Sequence, residues 1–181
     1  GGGNRAGYFK NFKIYKDVAV IPEDPTGKIQ LDFDENVIDK YGNSTWTNNG
    51  VTFDQVNSVK GHAAYFTGTS HNLISNSLSI NLNKFRFKVD TYFLSSSNFK
   101  VLFNVVDYLL FYYNTATDVF LIETYNNGTY ISGASSKIIN LDFNTFYKIE
   151  LIVKETKAYI FVNDKIIDIL SLSIPSSSAV N

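Results

Sequence analysis

The chain has 181 residues, enough for one domain, and its 16 basic and 17 acidic side chains leave a net charge of −1, which excludes the positive field that gathers nucleic-acid phosphates. It contains no cysteine, so disulfides, thiolate metal sites and cysteine nucleophiles are excluded. Aromatic residues make up 15% of it, nearly all Tyr and Phe, and with plentiful Ile, Val and Thr this is strand composition.

Along the chain, hydrophobic alternation with period 2 recurs almost everywhere, and no long window keeps a helical period. The Gly-rich start lacks the charged and apolar parts of a signal peptide. The absence of methionine points to a processed or subcloned piece of a longer protein. "GYFKNFKIYKDVA" (residues 7–19) reads as a complete strand. Pro22 and Pro25 then interrupt the alternation, which makes residues 20–27 a linker ahead of a body spanning 28–170.

"KIQLDFD" sets Ile29, Leu31 and Phe33 against Gln30, Asp32 and Asp34. The Asn-rich loop "GNSTWTNNG" holds Trp46, the one tryptophan, either as an exposed platform or as a lid over one end of a sandwich. "HAAYFTG" leads to a turn at Gly68, and "KFRFKVDTYFL" alternates Phe85, Phe87 and Val89 with Arg86, Lys88 and Asp90. The runs "FKVLFNV", "DYLLFYY", "DVFLIETY" and "GTYISG" follow, punctuated by Asn, Ser, Gly and Asp. Two long strands, "FYKIELIVK" and "KAYIFVND", come next, and Asn163-Asp164 supplies a two-residue hairpin turn at positive φ before "KIIDIL". Evenly spaced short strands of this kind predict a single all-β, two-sheet antiparallel sandwich. No apolar run approaches the ~20 residues of a spanning helix, so membrane insertion is not expected.

In "DYLLFYY", Tyr108, Leu110 and Tyr112 share one face, while Leu109, Phe111 and Tyr113 share the other. Either one face is exposed or groove-lining, or both are core between two layers. In the first case Tyr108 and Tyr112, with nearby Tyr125 and Tyr130, offer rings on which the C–H faces of a sugar stack, while Asn and Asp meet its hydroxyls. His62 and His71 flank a predicted strand and turn with no spacing that suggests a shared metal.

Three segments, "GHAAYFTGTSHNLI", "FRFKVDTYF" and "FYKIELIVKETKAYIFVNDKII", resemble in order and spacing the concanavalin A-like, laminin-G-like lectin domains of the kind found in bacteriophage tail and virion proteins. Gly61, Phe66 and Gly68 fit that family's Gly-rich "F-x-G" strand, Phe146-Tyr147 stand where it often has Trp-Tyr, and Asn163-Asp164 replaces its Asn-Gly. The resemblance implies a jelly-roll sandwich. It also implies that residues 7–16 look like the family's closing strand moved to the front, either by circular permutation or as part of a preceding sibling domain.

The same fold hosts glycoside hydrolases with the strand motif E-x-D-x-x-E. Here Asp32 and Asp34 come nearest, but the third carboxylate falls at Val37, so the chain is not expected to be an enzyme. Relatives often bind calcium through loop oxygens, which makes Asp34, Asp39 and Asn43 candidate ligands, against the plainer reading of loop carboxylates and an Asx turn. The expected function is a non-catalytic, virion or extracellular module that engages host surface glycans. The alternative is a decoration or assembly domain that binds other domains of a virion or parent protein.

Overall fold

Strands form wherever the alternation noted above lets one row of side chains leave water. The computed structural model describes residues 7–16, 28–33, 35–54, 62–66, 71–75, 80–93, 99–175 and 179–180. The predicted linker at 20–27, Gly61, the Gly68 turn and Asp34 lie outside these residues. In chain order the strands are β1 (Gly7–Lys16), β2 (Lys28–Leu31), β3 (Thr47–Asn49), β4 (Thr52–Asp54), β5 (Ala63–Phe66), β6 (Asn72–Ile74), β7 (Ile80–Asn81) and β8 (Lys84–Phe93). They continue with β9 (Phe99–Val105), β10 (Leu109–Asn114), β11 (Val119–Asn126), β12 (Thr129–Ser135), β13 (Phe146–Lys154), β14 (Lys157–Val162), β15 (Lys165–Ser171) and β16 (Ala179–Val180). Every described element is a strand or a turn, all strand pairings are antiparallel, and the architecture is a two-sheet jelly-roll sandwich.

One layer has eight strands in the order β15-β14-β13-β8-β1-β5-β4, with β2 also paired to β1; the other has four, β12-β11-β10-β9. β1 lies in the middle of the large sheet. One of its edges pairs with β8, from Gly7↔Phe93 to Lys16↔Phe85, with a bulge between Lys10 and Lys13. Its other edge is shared by β5 at Gly7–Phe9 and β2 at Phe12–Tyr15.

The core between the layers follows from the alternation. β8 turns Phe85, Phe87, Val89, Thr91 and Phe93 inward, β13 adds Ile149, Leu151 and Val153, and the small sheet answers with Phe103, Leu109, Phe111, Tyr113, Phe120 and Ile122. The layers meet ring on ring: Phe87 stacks on Phe103 at 4.9 Å, and Phe93 on Tyr113 at 5.8 Å. Thr91 is the exception in this row, because its hydroxyl is buried with no hydrogen-bond partner among the described residues. A smaller cluster, Leu31, Phe33, Val51, Ala64 and Phe66, lies under β1, and Phe12 and Trp46 pack against both clusters.

Two local expectations about backbone meet different outcomes. Asn163 and Asp164 do adopt positive φ, 50° and 63°, as a tight hairpin demands. Phe33 does not continue the strand begun by Ile29 and Leu31: β2 ends at Leu31, and Phe33 reaches the smaller core through a left-handed backbone at φ 59°. Burying a whole phenyl ring, a gain of about 2–3 kcal/mol, outweighs the roughly 1–2 kcal/mol of left-handed strain.

Candidate functional site

The inward row of the small sheet determines its outward one. With Leu109, Phe111 and Tyr113 in the core, β10 turns Leu110, Tyr112 and Asn114 outward; with Phe120 and Ile122 in the core, β11 turns Leu121, Glu123 and Tyr125 outward. In "DYLLFYY", Leu109, Phe111 and Tyr113 face the other layer, while the opposite face is itself largely covered, with Tyr112 only 7% exposed.

On that outer face the Glu123 carboxylate is held from two sides. The Tyr112 hydroxyl donates to Oε1 at 2.8 Å and the Tyr125 hydroxyl to Oε2 at 2.5 Å. Tyr130, on the neighbouring strand and 58% exposed, meets Tyr125 edge-on at 5.8 Å. Phe99, 45% exposed, meets Tyr112 edge-on at 5.6 Å. Gly133 pairs with Glu123 across β11 and β12, and a Cβ there would stand 2.8 Å from the Tyr130 hydroxyl. The missing side chain is what lets Tyr130 lie back over the sheet. The result is a row of phenyl and phenol edges around one carboxylate.

Tyr108 sits in the turn before β10 and donates to Asn127 Oδ1 at 2.5 Å. Its carbonyl accepts the Tyr125 N–H at 2.8 Å, so this turn is tied to the tyrosine row. Four of the five predicted ligand-binding residues, Tyr108, Tyr112, Tyr125 and Tyr130, thus belong to one sheet and its adjoining turn, but Tyr108 packs against the core between the layers. Trp46 does not join them. It packs edge-on to Phe12 at 5.5 Å and donates from Nε1 to Ser44 Oγ at 2.7 Å, the lid position of the two alternatives. Glu123, Phe99 and Gly133 were not anticipated; the i, i+2 spacing of Glu123 and Tyr125 on an alternating strand is the signal that places them side by side.

Asp39, one of the predicted calcium ligands, is engaged by its own loop. It is only 5% exposed, and its Oδ1 accepts the N–H groups of Gln30 (2.9 Å) and Tyr41 (3.2 Å). Its Oδ2 accepts the Asn43 N–H at 2.8 Å and the Ser44 hydroxyl at 3.1 Å. A cation at either oxygen would face these same donors, so the carboxylate is a loop clamp, and Asn43 contributes an N–H to it. Asp34 lies outside the described residues. Among the described residues no group of three or more His, Asp or Glu is disposed to hold a metal. The two histidines are apart: His62 Nε2 lies 3.3 Å from Glu35, while the His71 ring covers Gly50, whose φ is +75°.

The outer face of the large sheet differs in its electrostatics. There Arg86 pairs with Glu150, Lys88 lies between Glu150 (3.9 Å) and Asp164 (3.7 Å), and Lys148 meets Asp164 at 2.8 Å. Three cations there share two carboxylates in one network. In β9 to β12, by contrast, only Lys100 and Glu123 are charged, and Lys100 pairs with Tyr113 on the inward side, 3% exposed. Glu123 is therefore the one charge these strands present outward.

This distribution shapes the pH response. Burial lowers the Lys100 amine to about 8. The hydrogen bond to Glu123, then burial, raises the Tyr125 phenol to about 12. Burial first, then the bond to Glu123, raises Tyr112. Between about pH 8 and the unfolded lysine value near 10.4, the unfolded chain binds more protons at Lys100, so stability rises with pH. The tyrosines act oppositely: their contribution is complete below about pH 10 and is lost as pH rises beyond it. Lys100→Met is expected to flatten the rise in stability between about pH 8 and 10. Urea midpoints taken across that range check this, and an equal effect of the substitution at every pH would contradict it.

Among the described residues no helix is long and apolar enough to cross a membrane. No family model matches the chain, and no curated protein matches it. Among solved structures it is similar to the carbohydrate-binding module CBM66 from Bacillus subtilis, with 16% identity, a TM-score of 0.48, and 75% of this chain and 83% of that chain covered.

Proposed function

We propose that the chain is a non-catalytic carbohydrate-binding module of a larger virion or extracellular protein, and that it holds a surface glycan on the outer face of the four-stranded sheet. The observation that carries this is the Glu123 carboxylate gripped by Tyr112 and Tyr125 between the exposed rings of Tyr130 and Phe99. Pyranose C–H faces stack on such rings, and sugar hydroxyls donate to the carboxylate. A shallow face of this kind binds one sugar chain weakly, so many copies on a particle or surface raise avidity.

Tyr130→Ala is the sharpest single test, because that ring is exposed and its loss leaves the core alone. Glycans identified on an array and titrated by calorimetry are expected to bind the variant at least ~10-fold more weakly, a loss of about 1.4 kcal/mol, with thermal unfolding unchanged. A protein that binds no glycan, or binds one equally well without Tyr130, is not described by this reading.

A second reading, a decoration or assembly domain that binds protein, draws on Ile138, Ile166 and Ile169, which are exposed. The Lys137 N–H to Asp168 bond, at 2.7 Å, brings the Ile138 loop beside β15. Loss of particle assembly on Ile166→Asp, with no sugar binding to lose, would favour it.

A further inference from the structure

We infer that the glycan taken at this face is neutral or amino-bearing rather than acidic, and that Glu123 sets the choice. The inference rests on the proposed site and adds its ligand class.

A phenol has one proton to donate, and those of Tyr112 and Tyr125 are both committed to Glu123. The Tyr125 oxygen therefore turns lone pairs, not a proton, toward anything that approaches, while Tyr112, 7% exposed, backs the carboxylate from beneath. The carboxylate receives two donors, and a carboxylate offers about four acceptor positions, so it too faces the ligand as an acceptor. Around Glu123 the surface takes hydrogen bonds and gives none from these three groups. Its β12 neighbour is Gly133, which has no side chain to donate.

Charge points the same way. Lys100, the remaining charged residue of β9 to β12, is on the far side of the sheet, behind the layer that carries the tyrosines. A uronate or sulfate brought against this face meets a carboxylate in a partly desolvated setting with no cation from these strands beside it, where repulsion is stronger than in bulk water. A sugar hydroxyl or a protonated sugar amine brings the donors that Glu123, Tyr112 and Tyr125 lack, the Tyr130 hydroxyl over Gly133 being the one side-chain donor of the tyrosine row left to meet a sugar oxygen. Repulsion against the wrong class, together with attraction for the right one, is how a single residue produces specificity.

The test uses the whole chain on an array that carries neutral oligosaccharides, oligosaccharides with free amines, and uronate- or sulfate-bearing oligosaccharides, with Tyr130→Ala as the control for the site. The expected result is binding confined to neutral and amino-bearing glycans, with acidic ones at least ~10-fold weaker. Glu123→Gln should narrow that gap. In the unaltered protein, salt raised to about 1 M should narrow it as well, since the Debye length falls to ~3 Å; this arm does not depend on any variant folding. Acidic glycans that bind as tightly as neutral ones, in a manner lost with Tyr130→Ala, would overturn the inference and leave the site standing. Binding of no class, or binding indifferent to Tyr130, would remove the site and the inference with it.

Discussion

Replacing Phe87 with alanine lowers the unfolding free energy by about 3–5 kcal/mol, the range for a buried ring removed from a close-packed core. Phe87 has 0% exposure and touches aromatic rings from both layers: Phe12 at 5.3 Å in its own sheet, and Phe103 at 4.9 Å and Phe111 at 6.3 Å across the interface. It pairs with Ile14 on one side and Leu151 on the other, so the backbone around it is held and cannot close the void. Against a total stability of about 5–15 kcal/mol for a domain, that loss leaves a marginal fold. Denaturant unfolding should show a lower midpoint at an unchanged slope. Phe87→Leu, which keeps most of the volume, should lose much less. A loss below about 1 kcal/mol for Phe87→Ala would mean that the two layers do not meet at this ring.

Asp39→Ala is the second large effect, about 3 kcal/mol, and its origin is different. No cavity of consequence forms; instead the N–H groups of Gln30, Tyr41 and Asn43 and the hydroxyl of Ser44 lose their acceptor. Each buried donor left unmet costs about 1–3 kcal/mol, less where water can enter. Asp39→Asn keeps one carbonyl oxygen for one pair of donors and turns an amide N–H₂ toward the other pair, so it should lose about half as much. The chain carries one tryptophan, and Trp46 is tied to Asp39 through Ser44. Its fluorescence should shift to the red in Asp39→Ala before global unfolding. A rise in the melting temperature of the unaltered protein on adding calcium would instead return Asp39 to the role of cation ligand.

These two residues mark what could and could not be read from the amino-acid sequence. Phe87 was legible because β8 alternates without interruption, so Phe85, Phe87 and Val89 had to share the buried face. The Asn163-Asp164 turn was legible because two-residue hairpins require positive φ and few residues accept it. Asp39 was not, since an aspartate among Asn, Ser and Gly looks the same whether it clamps backbone N–H groups or holds a cation. Which face of "DYLLFYY" was core was equally hidden: both faces are apolar, and the choice is made by β11 and by a register shift between β10 and β9 at Phe111/Tyr112. Phe33 was placed on the correct side for the wrong reason, because a left-handed kink rather than strand alternation turns it inward.

The central place of β1 has a mechanical consequence. In the order β15-β14-β13-β8-β1-β5-β4 this one ribbon joins the four strands on its β8 side to those on its β5 side. Tension applied along it runs parallel to both of its edges, at right angles to the inter-strand N–H···O=C bonds. The bonds on either flank are then sheared together, not peeled one after another. Forced extraction is limited by the rate of crossing that barrier, so a pull on this ribbon loads its bonds to β8 on one flank and to β2 and β5 on the other at once.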